Sequence, residues 1–417
     1  MRKKRFMRLT ICLAVLLILT IAAGCAQKNV NPESVPKKAK DKIVIGQAIA
    51  LSGPLSTVAA TCAIPIYDMW IKEVNAQGGI FVKEYGKKLP VELIRYDDKS
   101  DVGTMTKLLE KLILEDKVDF ILPPVDTAPL YAAAPIANKY GYILIAGPGS
   151  AKKLQEIMPS LPYFFMVLNF SDTQMPVLAE IYKELGIKTV AVVRHEHLHG
   201  IEYASDAIPA FEKAGLEVKM YKSYPSGAKD LSPLLKEARQ LGVDAFVAFT
   251  HPEEAWLLTQ QAIELGCNFK SFLCTVNACT TQYRDKFGAQ VVEGVMSGGG
   301  WNEKSSPGAK EFSDLFKKYY NREPDDYWGY LHYYASLQHF QQAIEKAGTL
   351  DQAKIREVLA TETFDTYLGP FKYDQDRFFR GHAGQIGQWQ KGVFEVVDPG
   401  KNRTAPPILK PDWQKKG

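Results

Sequence analysis

The chain has little cysteine, six residues in 417, and Cys267, Cys274 and Cys279 lack the CxxC spacing of a metal or redox site. With Cys62 they are the four cysteines beyond residue 25. In a fold of this length they read as buried free thiols, with one disulfide within the Cys267–Cys279 group as the alternative. No charge sign dominates either. Lys and Arg number 51 against 47 Asp and Glu, a net +4, but five of those cations lie within Met1–Arg8. Without them the remainder carries −1, which leaves no electrostatic footprint for nucleic acid. Beyond residue 25 no stretch is apolar enough to span a membrane. Nucleophile elbow, P-loop and zinc-protease motifs are missing, and Gly298-Gly299-Gly300 has no strand-to-helix phosphate context. No Ser or Cys stands beside a base with an orienting carboxylate, so neither an enzyme nor a cofactor is expected.

What is present begins with an address. Arg2, Lys3, Lys4, Arg5 and Arg8 precede an apolar or small run from Leu9 to Ala23. A basic segment, a short apolar core and small residues make a secretory signal. The core falls short of the roughly 20 residues a spanning helix needs. Ile21-Ala22-Ala23-Gly24-Cys25 resembles a bacterial lipobox, in which Cys25 becomes the lipidated first residue. Such anchors resemble multi-acylated ones, which hold stably. Residues 26–41 are polar, charged and contain Pro, the composition of a tether. A chain of nearly 400 residues beyond it suits two lobes rather than one core.

From Lys42 the pattern alternates. Strands are expected at Ile43–Ala50, Val91–Tyr96, Phe120–Leu122 and Tyr142–Ala146, with helices at Ile64–Ala76, Val102–Glu115 and Ala128–Lys139. After Pro162 it resumes, with strands Thr189–Val193, Glu217–Tyr221 and Ala245–Phe249. Helices Met175–Leu185, Ile201–Ala214, Leu231–Leu241 and Glu253–Leu265 separate them. The fold class is α/β, two doubly wound parallel-sheet lobes. Ligands in open sheets sit beyond the carboxyl ends of strands, which directs attention to the loops there, among them Arg194–Gly200 and Cys274–Thr281.

Three motifs then stand in order. The first is Leu51-Ser52-Gly53-Pro54 with Glu73–Ile80 and Tyr96–Asp101. The second is Val125–Thr127 leading into Ala132–Ala137, with Gly147–Ser150 following. The third is Tyr330–Gly348, ending Gln342-Ala343-Ile344-Glu345-Lys346-Ala347-Gly348. From about Lys42 to Val397 the chain resembles the solute receptors of ABC importers, branched-chain amino-acid and amide subgroup, with the leucine-binding-protein domain. The resemblance implies a type I periplasmic-binding-protein fold, three crossover strands, and a cleft that closes on a small solute by hinge motion. It implies an ABC permease and ATPase subunits as partners, a monomer, and a site on the extracytoplasmic face of a bacterial membrane. The divisions expected are 1–24 signal, 25–41 lipidated Cys and tether, 42–163 with about 296–360 as first lobe, 164–295 with about 361–400 as second lobe, and 401–417 as tail. The alternatives are a sensory module of the same fold and, less expected, an enzyme that uses His199 or His251 as a base in the cleft.

Thr127 opens a helix, where a hydroxyl and the first N–H groups serve as donors. By the resemblance, Thr127, the Pro148 carbonyl and Ser150 grip a ligand carboxylate, and Val58 or Ala59 replaces an aromatic wall. The loop Cys274–Cys279, with Asn277, holds no acid to pair a ligand ammonium, so an α-amino acid is less expected than a carboxylate or amide, aromatic ones included. Arg194, His199 and His251 favour an anion or polar acceptor in the cleft. A solvated rim is the other reading of the run Arg194–Gly200. His195, His197 and His199 alternate so that two share a face, but without a fixed carboxylate partner no metal is expected.

Overall fold

The computed structural model describes residues 39–147, 149, 152–168 and 171–413. Cys25, with its lipidation, and the tether up to residue 38 lie outside the described residues. From Lys40 onward the chain forms one compact unit. Among the described residues no helix is long and apolar enough to cross a membrane.

The first lobe grows around Ile43–Ile49, whose Ile43, Ile45 and Ile49 are wholly buried. Val91–Asp97 and Phe120–Leu122 flank it in parallel. Gly46 lets the helix Val102–Leu114 come close, since a Cβ there would lie 2.9 Å from the Leu112 side chain. A second parallel pair, Leu144–Ala146 with Phe164–Met166, and two antiparallel pairs, Ile80–Val82 with Lys87–Leu89 and Phe364–Thr366 with Gly369–Phe371, add to this lobe. The first strand is tied at its start by Asp119, whose Oδ2 accepts from the Val44 amide at 2.8 Å while Oδ1 meets Lys40 Nζ at 2.7 Å. Asp119→Ala leaves that amide unpaired and is expected to cost about 1–2 kcal/mol, read as a lower urea midpoint.

The second lobe carries seven strands. Its order is Val393–Val396, Ile386–Gln390, Met296–Gly298, Ser271–Cys274, Ala245–Phe249, Thr189–His195 and Glu217–Tyr224. The last five named are mutually parallel, and the first two are antiparallel additions. Helices separate the parallel strands, as the right-handed crossover rule requires.

The chain moves between the lobes three times, at points later than the sequence suggests. Phe164–Met166 still pairs within the first lobe, and Val167 and Leu168 lie in its core, so the second lobe begins after 168 rather than at 164. Met296–Gly298 joins the second sheet rather than opening the return at 296. Three residues are too few for an alternating pattern to show. The helices Ala309–Tyr320, Tyr330–Ala347 and Gln352–Thr361 then fill the first lobe's core with Phe312, Phe316, Ile344 and Ile355. Phe371, Tyr373 and Phe379 remain there too, so the last exchange falls before Ile386 and not near 361. The described part of the expected tail, residues 401–413, belongs to the second lobe. Trp413 packs edge-on against Phe272 at 5.1 Å and donates its indole N–H to the Val291 carbonyl at 3.0 Å.

The four cysteines beyond residue 25 are free and buried. Val58 lies in a short helix, Ser56–Cys62, where the sequence reads as a loop.

Candidate functional site

The site forms where strand ends of the two lobes face each other. In the second lobe, Phe249 pairs with Arg194, so the chain leaves both strands side by side. His195 ends its strand, His197 caps the helix Leu198–Lys213, and His251 caps the helix Pro252–Leu265. Four imidazoles meet as a result. The His195 ring centre lies 4.3 Å from that of His251 and 5.7 Å from that of His199, and His197 is 5.2 Å from His251. His195 and His199 are buried, against the reading of this run as a solvated rim.

The first lobe contributes a carboxylate missed in the sequence. Asp126 follows the strand Phe120–Leu122 and caps the helix Thr127–Tyr140. Its backbone stands at φ 77°, ψ 160°, a region costly for a residue with a Cβ. Its Oδ1 accepts from the Thr127 amide, and its Oδ2 lies 3.1 Å from His251 Nε2 in the opposite lobe. Asp126 thus already occupies the helix N-terminus that the resemblance assigns to a ligand's own carboxylate.

The electrostatics follow from this contact. Burial works to raise the Asp126 pKa, but the neighbouring His251 charge and hydrogen bond hold it well below the usual carboxylate range. Burial works to lower His251, and Asp126 outweighs it, raising the imidazole above its ordinary value. Burial, and then the His251 charge, hold His199 down at about 4 and His195 far below its usual value. Asp126 therefore carries its charge against an imidazole biased toward protonation, beside two neutral imidazoles.

Between the lobes lies a cavity of about 370 Å³, its open mouth included. It brings together Val58, Thr127, His199 and His251 of the residues expected from sequence. Gly149 lines it as well, while its neighbours Pro148 and Ser150 lie outside the described residues. Two expected residues stand elsewhere. Arg194 turns to the sheet edge, donating from Nε to the Tyr221 hydroxyl at 2.8 Å and from Nη1 to the His195 carbonyl. Asn277 is buried in its own turn at φ 78°, accepting from the Thr280 hydroxyl, and its neighbour Val276 takes the place on the cavity wall.

Trp328 and Tyr333 also line the wall. Both are seated on glycines. A Cβ on Gly299 would stand 1.8 Å from Trp328 Cδ1, and one on Gly329 or Gly147 would stand 2.3 or 2.7 Å from the Tyr333 ring. Gly298-Gly299-Gly300 thus serves close packing: Gly299 meets the indole and Gly300 approaches the Gly387 backbone. Trp328 Nε1 and the Tyr333 hydroxyl are buried without a hydrogen-bond partner.

Two α/β lobes joined by three passes of chain, with a cleft at facing strand ends, define a two-lobed solute receptor. Residues 42–393 match the model of a family described as periplasmic binding protein, and the chain belongs to that family of non-enzymatic solute-binding proteins. The leucine-, isoleucine-, valine-, threonine- and alanine-binding protein of Pseudomonas aeruginosa is 26% identical over 359 residues, 85% of this chain and 91% of that protein. A branched-chain amino acid transporter substrate binding protein from Streptococcus pneumoniae, in complex with isoleucine, superposes with a TM-score of 0.72 at 19% identity, covering 89% of this chain and 100% of that one. A solute binding protein from Rhodopseudomonas palustris in complex with benzoate gives 0.72 at 17% identity, covering 89% and 98%. These likenesses show the type I periplasmic-binding-protein fold.

Proposed function

We propose that the chain is the substrate-binding lipoprotein of an ABC importer, held by Cys25 on the extracytoplasmic face of a bacterial membrane. It captures a small organic solute in the inter-lobe cavity by closure and delivers it to a permease with its ATPases. The observation that carries this reading is that two residues lining the cavity, Trp328 and Tyr333, hold buried donors, Nε1 and the hydroxyl, with no hydrogen-bond partner among the described residues. A buried donor without an acceptor costs about 1–3 kcal/mol, which a carboxylate or amide oxygen removes. Thr127, Pro148, Ser150, His199, His251 and Val58 are the further ligand contacts proposed. The relatives named above take isoleucine or benzoate by their descriptions, and both bear a carboxylate. Asp126 also removes the ground for disfavouring an α-amino group, because the cleft holds an acid after all.

A thermal-shift screen against amino acids, amides, and aliphatic and aromatic carboxylates tests the reading. A solute bound only by the native state raises the midpoint with its concentration over its dissociation constant. The expected result is a shift with one of these classes, with affinity about tenfold lower in Tyr333→Phe, the loss of one hydrogen bond. No shift with any class, or unchanged affinity in both Tyr333→Phe and Trp328→Phe, would sink it.

A further inference from the structure

The imidazoles offer more than polar walls. One ligating atom each of His195, His197 and His251 lies within 4.8 Å of the others, and two of the three side chains are buried. A tetrahedral ion with metal–nitrogen distances near 2.1 Å needs donors about 3.4 Å apart and ring centres about 5 Å apart. The three ring-centre separations are 4.3, 5.2 and 5.5 Å. Closing that spacing needs ring rotation, since the His195 and His251 rings lie stacked with 29° between their planes.

Asp126 supplies what the sequence lacked. Its Oδ2 takes the hydrogen bond of His251 Nε2, which fixes the tautomer and leaves Nδ1 as the ligating atom. A carboxylate behind a ligating imidazole is the usual outer partner of a metal-bound His. His195 Nδ1 accepts from the His197 amide at 3.1 Å while its Nε2 is buried and unpaired. Uptake of an ion at His195 gives up that amide bond or turns the ring over. His199 stays back, 6.2 Å from His251 between ring centres and 3.4 Å from the Thr275 hydroxyl.

We propose that His195, His197 and His251 bind one divalent transition-metal ion of the zinc class, with Asp126 bonded to His251 from outside. Three imidazoles suit such ions, and the fourth position stays open to a carboxylate oxygen of the solute. The proposal rests on the solute reading above, and the receptor then takes metal and organic acid together.

The test uses the purified full chain, stripped with a chelator and titrated with Zn²⁺ and with Co²⁺, whose visible absorption strengthens on tetrahedral coordination. One ion per chain is expected, bound at least tenfold more weakly by His197→Gln and by His251→Gln, and tenfold or more weakly by Asp126→Asn. His197 is exposed, so its variant should keep the fold. Absence of saturable binding, or affinity in both His variants unchanged from that of the unmutated chain, overturns the site. The solute screen separates the two readings. A carboxylate that raises the midpoint equally with chelator and with Zn²⁺ removes the metal and leaves the receptor standing. Zn²⁺ bound at these residues with no organic solute effective supports the metal and overturns the organic cargo.

Discussion

Gly299→Ala is expected to lower the unfolding free energy by about 2–4 kcal/mol, combining a strained positive φ with overpacking, and to abolish solute binding. Gly299 stands at φ 71° just after the last residue of Met296–Gly298, where the chain leaves the second sheet for the first lobe. A methyl group there meets the Trp328 indole at 1.8 Å, so either the ring or the backbone must move. The indole lines the cavity, which makes its displacement a change in the site itself. Thermal unfolding reads the first effect and titration with the solute identified by the screen reads the second. An unchanged midpoint would mean that the indole yields freely. Gly186→Ala is the comparison, since its added Cβ has nothing within 4 Å, so its cost comes from φ 70° alone.

The second large effect concerns Asp126. Asp126→Ala should cost about 1–3 kcal/mol, less than the roughly 3–5 kcal/mol of a stranded buried charge, because His251 can release its proton. Binding through the cleft should fall at least tenfold, since the lobe-to-lobe contact and the orientation of His251 go with it. Asp126→Gly divides the two roles. It removes the same carboxylate but relaxes the backbone at φ 77°, and is expected to be about 1 kcal/mol more stable than the Ala variant while binding no better. Equal stability of the two would show that the backbone there is unstrained.

Much of the framework was legible because it is written locally. Phe120–Leu122 and Ala245–Phe249 are apolar runs bounded by turn residues, and their limits stand where the sequence places them. The helix Ile64–Ala76 announces itself by apolar spacing and ends before Gly78-Gly79. Ser56–Cys62 was not legible: seven residues with no capping side chain and three Thr or Ser give no helical stripe. The helix at Leu198 begins three residues before its pattern does, because His199 and Gly200 hide its first turn. Within the cleft, His199 and His251 could be found as polar residues at strand ends. Asp126 could not, since before Thr127 it reads as an ordinary cap, and its partner lies in the other lobe. Arg194 misled for the opposite reason: its position at a strand end is right, but Tyr221 on the next strand takes its guanidinium.

The order in which the lobes are completed has a consequence for how the chain is made. The second sheet waits for Ile386–Gln390 and Val393–Val396, and the first core waits for Tyr330–Ala347. No single cut yields either lobe whole, and a ribosome releases most of the chain before either can close. This interleaving keeps the second lobe open until Val393–Val396 has been made, and the first until Phe379 has.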